Sequence, residues 1–330
     1  MKNICVLGSG AWGTALGNLL ASNGNRVRIY GICKEEIAEI NSTHTNSRYF
    51  EKLKIDESIV ASEDIDFAAA GADFIVLAVP SFAIAQTARK ILDKIKDGAV
   101  IVNVAKGFDP ITKKPLGKII REILSQKNAY VVSLLGPTFA EEVVEKQYSA
   151  IVASGEDASA CERVQALFSN SYFRVYTSLD VVGAEYSAAL KNVIALASGI
   201  VEGMGGKVNS RAAVITRGMA EIVRYVTHFG GDEKTCFGLT GVGDLVLTCS
   251  SLTSRNFSAG VVIGREGMQY FNENNKKTVE GIFACEIAYE IAKENNIYSP
   301  IVTAVYNVIK QKSSPTEEIK KLMTSNLKAE

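Results

Sequence analysis

Histidine is almost missing from this chain, with His44 and His228 the only two in 330 residues. Two histidines so far apart in sequence cannot build a three-histidine metal site, and they leave a histidine proton relay two candidates at most. Net charge is missing as well, because 36 Lys and Arg balance 36 Asp and Glu. A nucleic-acid-binding domain advertises a basic excess, so recognition of any anion here has to come from a local cluster. The six cysteines form no C-x-x-C pair. Cys5, Cys33, Cys161, Cys236, Cys249 and Cys285 are scattered, mostly in apolar runs, which reads as reduced, buried thiols and not as a disulfide framework. No apolar stretch reaches the roughly 18 residues of a membrane span, and the opening run Ile4-Cys5-Val6-Leu7 breaks at Gly8 without the form of a secretory signal. These absences predict a cytoplasmic globular protein with no metal, whose proton chemistry belongs to a residue type other than histidine.

What is present is an α/β pattern in the first half. Asn3 to Gly8, Arg26 to Gly31, Phe74 to Pro80, Ala99 to Ala105, Tyr130 to Gly136, Ser149 to Ser154 and Phe173 to Ser178 read as short strands. Most are continuous Val, Ile and Leu, as in Phe74-Ile75-Val76-Leu77-Ala78-Val79, the signature of strands covered on both faces. Helical stretches such as 13–23 and 82–96 lie between them. The alternation predicts a Rossmann-type, doubly wound, mostly parallel sheet over residues 1–178, with ligands at the carboxyl ends of its strands. From 179 to 330 the strand signals stop and helical periodicity takes over, notably at 183–203 and 210–229, which predicts an all-helical second domain. The polar tail after Ser313 reads as a short helix.

Gly8-Ser9-Gly10-Ala11-Trp12-Gly13 is a G-x-G-x-x-G run placed directly between a strand and a helix. The first glycine permits the tight turn, the second lets the backbone approach a pyrophosphate, and the third lets helix and strand pack closely. Nucleotide binding is the expectation, with Trp12 either a flat wall near the nucleotide or a core residue. The second strand is expected to end near Tyr30-Gly31, where a protein selective for NAD places a carboxylate against the ribose hydroxyls. Ile32-Cys33-Lys34 stand there instead, with acids only at Glu35 and Glu36. The choice between NAD and NADP stays open, and Lys34 is either a partner for a 2′-phosphate or a solvated lysine opening a helix.

Two lysines occupy unusual settings. Lys106 follows the apolar strand 100–105, which puts an ammonium at the carboxyl end of a sheet strand. Lys191 interrupts an otherwise apolar helical run, 186–197, where it must be paired, snorkelling or functional. Further on, glycines flank Asp244 and predict a tight turn presenting a carboxylate. Ser254 reads as the N-cap of a helix that carries Arg255 and Asn256 in its first turn, a terminus suited to a phosphate group.

Taken in order, the motifs around the fingerprint, Ala105-Lys106-Gly107, Gly136-Pro137-Thr138-Phe139-Ala140, Leu190-Lys191-Asn192, Thr216-Arg217-Gly218, Gly241 to Cys249, Ser254-Arg255-Asn256 and Val279-Glu280-Gly281 resemble those of NAD(P)-dependent sn-glycerol-3-phosphate dehydrogenases. The resemblance runs from residue 3 to about residue 300. It implies reversible reduction of dihydroxyacetone phosphate to sn-glycerol 3-phosphate, a precursor for glycerophospholipids, by a homodimer. It places the catalytic proton donor and acceptor on Lys191. Lys106, Gly136, Thr138, Lys191, Asp244, Ser254, Arg255 and Asn256 fall at its substrate positions; from their charges, Lys106 is expected to polarise the substrate oxygen and Asp244 to orient the lysine and the substrate hydroxyl, both assisting catalysis. Trp12, Ala140, Arg255 and Glu280 fall at its nucleotide positions, and Gly8, Gly10, Ala11, Gly13, Lys34, Tyr49 and Lys106 complete the candidate nucleotide set. Ala11 and Leu135 stand where the family commonly has serine, and the basic residue after the second strand is displaced to Lys34. Two other readings fit the architecture: a 2-hydroxyacid or 6-phosphogluconate-type dehydrogenase, and a silent nucleotide-binding protein. The retained lysines and aspartate argue against the latter.

Overall fold

A computed structural model of the chain describes residues 1–51, 53–275 and 277–325. Contacts divide it into two compact units, Met1–Val181 and Val182–Glu330.

The first unit is built on an eight-stranded sheet of β1 (Asn3–Leu7), β2 (Arg26–Tyr30), β3 (Val60–Ser62), β4 (Phe74–Leu77), β5 (Ala99–Asn103), β6 (Ala129–Leu135), β7 (Ser149–Gly155) and β8 (Phe173–Ser178), in the order β3-β2-β1-β4-β5-β6-β7-β8. All neighbours run parallel except β6 and β7. Period-two alternation sends Ile4 and Val6 of β1 into one apolar layer and Cys5 and Leu7 into another. The first layer is closed by Leu16, Leu19 and Leu20 of the helix Ala11–Ser22 and by Val164 and Phe168; the second by Ile84, Ala88, Leu116 and Ile120. Both faces are covered, which is why the strands read as continuous apolar runs. The chain order reverses on either side of β1, the place where such sheets open a crevice at their carboxyl ends.

Two sequence expectations need correction here. The helix expected over 82–96 is interrupted: an α-helical stretch, Ile84–Lys90, is flanked by single 3₁₀ turns at Ser81–Ala83 and Leu92–Lys94. The tighter turn after Lys90 keeps both Ile91 and Ile95 buried against the sheet. The edge strand β3 was not expected, because three residues between polar flanks carry no readable period, and only pairing with β2 makes them a strand.

The described residues of the second unit contain no strand. Its principal helices are Val181–Gly203, Val208–His228, Asp244–Ser250, Arg255–Glu266, Glu280–Asn295 and Pro300–Ile309. Val181–Gly203 and Arg255–Glu266 touch backbone to backbone, since a Cβ on Gly199 would lie 2.1 Å from the Phe257 carbonyl oxygen. The tail forms the expected short helix, Pro315–Met323, opened by a capping box of Ser314 and Glu317. None of the six cysteines is in a disulfide, and five are buried; Cys33 is half-buried. No single helix among the described residues is long and apolar enough to cross a membrane.

Candidate active site

The glycine-rich turn leaves β1 at Leu7 and enters the helix Ala11–Ser22 at once. Gly8 has φ +127°, and a Cβ there would meet the Ala78 carbonyl oxygen at 2.6 Å; one on Gly13 would meet the Gly8 carbonyl oxygen at 2.0 Å. Both positions are therefore closed to any side chain. A Cβ on Gly10 would meet nothing within 4 Å, so this glycine borders open space. The helix behind it has no side-chain cap and no acid in its first turn, which leaves its first amide hydrogens available to an anion. A dinucleotide pyrophosphate fits this cradle. Ala11, Trp12, Tyr49 and Ala140 come together around the buried side chains of Ala15, Phe50 and Val144. Trp12 also packs against the main core of the unit, so it serves as both core residue and wall. Lys34 stands exposed at the first position of the helix Lys34–Thr43.

At the ends of the parallel neighbours β5 and β6, the Lys106 ammonium donates to the Gly136 carbonyl at 2.9 Å, and the Thr138 hydroxyl donates to the same oxygen at 3.4 Å. Lys106, Gly136 and Thr138 thus form one polar cluster in the first unit.

In the second unit, Lys191 is 6% exposed and does not snorkel. Its ammonium donates to Asp244 Oδ1 at 3.0 Å and to Thr248 Oγ1 at 2.7 Å. Asp244, 1% exposed, does not sit in the tight turn expected from its flanking glycines. Leu239–Gly243 winds as one π-helical turn, and Asp244 opens the α-helix Asp244–Ser250 that continues from it. A π turn turns the next helix out of register, and here it aims the carboxylate inward, 53 residues along the chain from its lysine. Thr248 follows one helical turn later and donates to the Asp244 backbone carbonyl at 2.6 Å, which fixes its oxygen as an acceptor for Lys191. Sequence reasoning passed over Thr248, although its i+4 spacing from Asp244 on a helix was available to find it. Burial pushes the neighbouring Cys249 thiol up to about 12, with the Lys191 charge opposing that rise and Asp244 adding to it. Cys249 therefore stays a neutral thiol and offers no nucleophile.

Ser254 is the N-cap expected, accepting from the Phe257 amide at 3.3 Å. Asn256 is held at both ends of its amide, donating to Asn192 Oδ1 at 2.9 Å and accepting from the Gly281 amide at 2.8 Å. It ties the residue after Lys191 to the residue after Glu280. Asn192 is a second participant that sequence reasoning quoted but gave no role. Arg255 is exposed; it reaches the Thr278 carbonyl at 3.5 Å and borders a cavity of about 370 Å³ that Tyr270, Asn274 and Lys277 also line. Glu280 opens the helix Glu280–Asn295, whose N-cap residue Val279 contributes no side-chain bond. Among the described residues no three His, Cys, Asp or Glu side chains gather as a metal site.

Two family models cover the chain. Residues 3–161 match the N-terminus, and residues 180–320 the C-terminus, of NAD-dependent glycerol-3-phosphate dehydrogenase. The chain belongs to that family. A glycerol-3-phosphate dehydrogenase [NAD(P)+] from Streptococcus equi subsp. zooepidemicus is 41% identical over 331 residues, covering 100% of this chain and 98% of that protein. One from Lactobacillus helveticus is 40% identical over 336 residues, with 100% and 99% covered. The crystal structure of the dehydrogenase from Coxiella burnetii superposes with a TM-score of 0.92 at 29% identity, over 98% of this chain and 99% of that one. The family resemblance and the Rossmann-then-helical architecture expected from the sequence are both borne out. For this dehydrogenase the relatives' shared [NAD(P)+] description supports use of a nicotinamide dinucleotide.

Proposed function

We propose that this dehydrogenase reduces dihydroxyacetone phosphate reversibly to sn-glycerol 3-phosphate, with Lys191 as the proton donor. The observation that carries the reading is the buried Lys191 ammonium, fixed between Asp244 and Thr248 in an apolar helical unit. A bound nicotinamide supplies the hydride. The ketone oxygen that gains negative charge needs a proton and a fixed positive field, and a lysine provides both. Asp244 and Thr248 hold the Lys191 side chain to one rotamer, so little reorganisation is needed as the proton leaves. In the oxidative direction the same nitrogen takes the proton back.

Lys106 is the second cation assigned to the substrate, with Gly136 and Thr138 beside it. Ser254, Arg255 and Asn256 are assigned to the phosphate group, Arg255 as its guanidinium and Asn256 through its hold on Asn192. Binding the remote phosphate positions the ketone and stabilises the transition state. Residues 1–178 take the nucleotide, with Gly8, Gly10, Ala11, Trp12, Gly13, Tyr49 and Ala140 against it, and residues 179–330 carry the proton chemistry. We assign the product to glycerophospholipid synthesis in the cytoplasm and the working form to a homodimer.

The direct test is reduction of dihydroxyacetone phosphate followed at the nicotinamide absorbance, with NADH and NADPH side by side. Turnover with the phosphorylated ketone and none with a 2-oxoacid supports the reading; the reverse pattern overturns it. Arg255→Ala is expected to lower kcat/KM for the phosphorylated ketone while leaving turnover of unphosphorylated dihydroxyacetone as it was. Equal loss on both substrates removes Arg255 from the phosphate site.

A further inference from the structure

Of the two carboxylates that follow β2, Glu36 faces the wrong way for ribose. Glu36, on the first turn of the helix Lys34–Thr43, has a side chain only 6% exposed. Its Oε2 accepts from Ser9 Oγ at 2.6 Å, inside the glycine-rich turn. Its Oε1 accepts from Arg48 Nη1 at 2.8 Å and from the Tyr49 hydroxyl at 3.4 Å. The Ser9 carbonyl is held in turn by Thr14 Oγ1 at 3.0 Å and by Asn46 Nδ2 at 2.8 Å. Glu36 is thus committed to the shape of the turn, and ribose hydroxyls have no claim on it. A carboxylate with both oxygens engaged and almost no exposure offers no acceptor to a ligand.

The group Glu36 does present to solvent is the cation it anchors. The Arg48 side chain is 65% exposed and lies over the Tyr49 ring, 5.7 Å from its centroid. Tyr49 belongs to the cluster with Ala11, Trp12 and Ala140, so the guanidinium stands beside the nucleotide turn. One of its five N–H donors is taken by Glu36, and the fork geometry suits a phosphate. Three other polar groups share this end of β2: Lys34, exposed; Glu35, exposed; and Cys33, whose thiol donates to Glu35 at 3.1 Å. That hydrogen bond, one from its own backbone amide, and the fields of Lys34 and Arg48 hold the Glu35 carboxyl below its ordinary value.

We propose that Arg48, anchored by the buried Glu36, reads the 2′-phosphate of NADP and makes NADPH the preferred nucleotide of this dehydrogenase. The proposal rests on the nucleotide-site reading above and moves the specificity contact from Lys34, the basic residue nearest in sequence, to one 14 residues later. Glu36 acts as a positioning residue: it immobilises the guanidinium and offsets its charge on the buried side only.

Calorimetric titration with 2′,5′-ADP and 5′-ADP isolates the phosphate contact without any turnover, and quenching of Trp12, the only tryptophan, gives a second readout with NADP⁺ and NAD⁺. The protein is expected to bind 2′,5′-ADP about tenfold or more tighter than 5′-ADP, the size of one charge-assisted contact. Arg48→Ala is expected to erase that difference while 5′-ADP affinity stays within about threefold, and Arg48→Lys to keep part of it. Equal affinity in the unaltered protein overturns the proposal, as does a preference that survives Arg48→Ala or that disappears instead in Lys34→Ala. If neither fragment binds the unaltered protein, the nucleotide site itself fails, an outcome distinct from a misassigned arginine.

Discussion

Gly8, Gly10 and Gly13 in the first unit act through side chains they do not have, whereas Lys191, Asp244 and Thr248 in the second act through side chains that are almost wholly buried. The glycine turn is local: six consecutive residues contain it, and backbone amides supply the binding. The lysine site is assembled from residues 53 and 57 positions apart, joined only when two helices and a π-helical turn pack. A backbone site tolerates no added atom at its closed positions. A buried charge site tolerates no removed partner, because the charge left behind has neither water nor counterion. The two regions therefore fail in different ways, and that difference can be tested.

The largest effect is expected at the buried site. Lys191→Ala should lower kcat by about 10³-fold or more while Trp12 quenching by nucleotide persists. Because the single variant strands the Asp244 carboxylate, its stability should fall by about 3–5 kcal/mol, and adding Asp244→Asn should recover much of that in a denaturant titration. Full turnover in Lys191→Ala would remove the lysine from the chemistry.

Next comes the closed glycine. Gly13→Ala places a methyl group 2.0 Å from a carbonyl oxygen, and an unfolding midpoint lowered by about 3 kcal/mol or more is expected. An unchanged midpoint would show that the turn can yield.

A second buried carboxyl in the helical unit gives a pH dependence. Glu221 accepts from the Ile301 and Val302 amides at 2.6 and 3.1 Å, capping the helix Pro300–Ile309. Burial nevertheless pushes its carboxyl up from 4.5 to about 7, against those two bonds and the nearby Arg224 and Arg217. The folded state then holds a proton that the unfolded state has released, so this contribution is fully present below about 4.5 and is lost as pH rises through about 7. The loss amounts to roughly 3 kcal/mol at most. Denaturant midpoints compared at pH 4.5 and pH 8 should differ less in Glu221→Gln than in the unaltered protein; equal differences would exclude the carboxyl as their source.

The smallest effect sharpens the contrast within the turn itself. Gly10→Ala, with open space around its Cβ, should leave the unfolding midpoint within about 0.5 kcal/mol yet weaken nucleotide binding by about tenfold. Loss of stability without loss of binding would reverse the roles given to Gly10 and Gly13.

Legibility follows the same division. Seven of the eight strands could be read, because both faces of a doubly covered sheet impose continuous apolar runs. The three-residue β3 could not, because its only cause is the neighbouring β2. Cys33, at the exposed end of β2, departs from the buried-thiol expectation that the other five meet. In the helical unit, Lys191 stood out as an anomaly in an apolar run, but the helix alone favoured snorkelling over a role in the site. Asp244 was recognised for the wrong geometry, a tight turn, since nothing local announces a π turn.

The amino-acid order by itself determined the two-part architecture, the nucleotide turn and the identity of the family, because each rests on short-range periodicity or on contiguous motifs. Tertiary structure alone decided which groups meet: that Lys191 faces Asp244 and Thr248, and that Glu36 turns inward and leaves Arg48 exposed at the end of β2. Those pairings join residues 12 to 57 positions apart, and only packing sets their distance and excludes the water that would otherwise separate them.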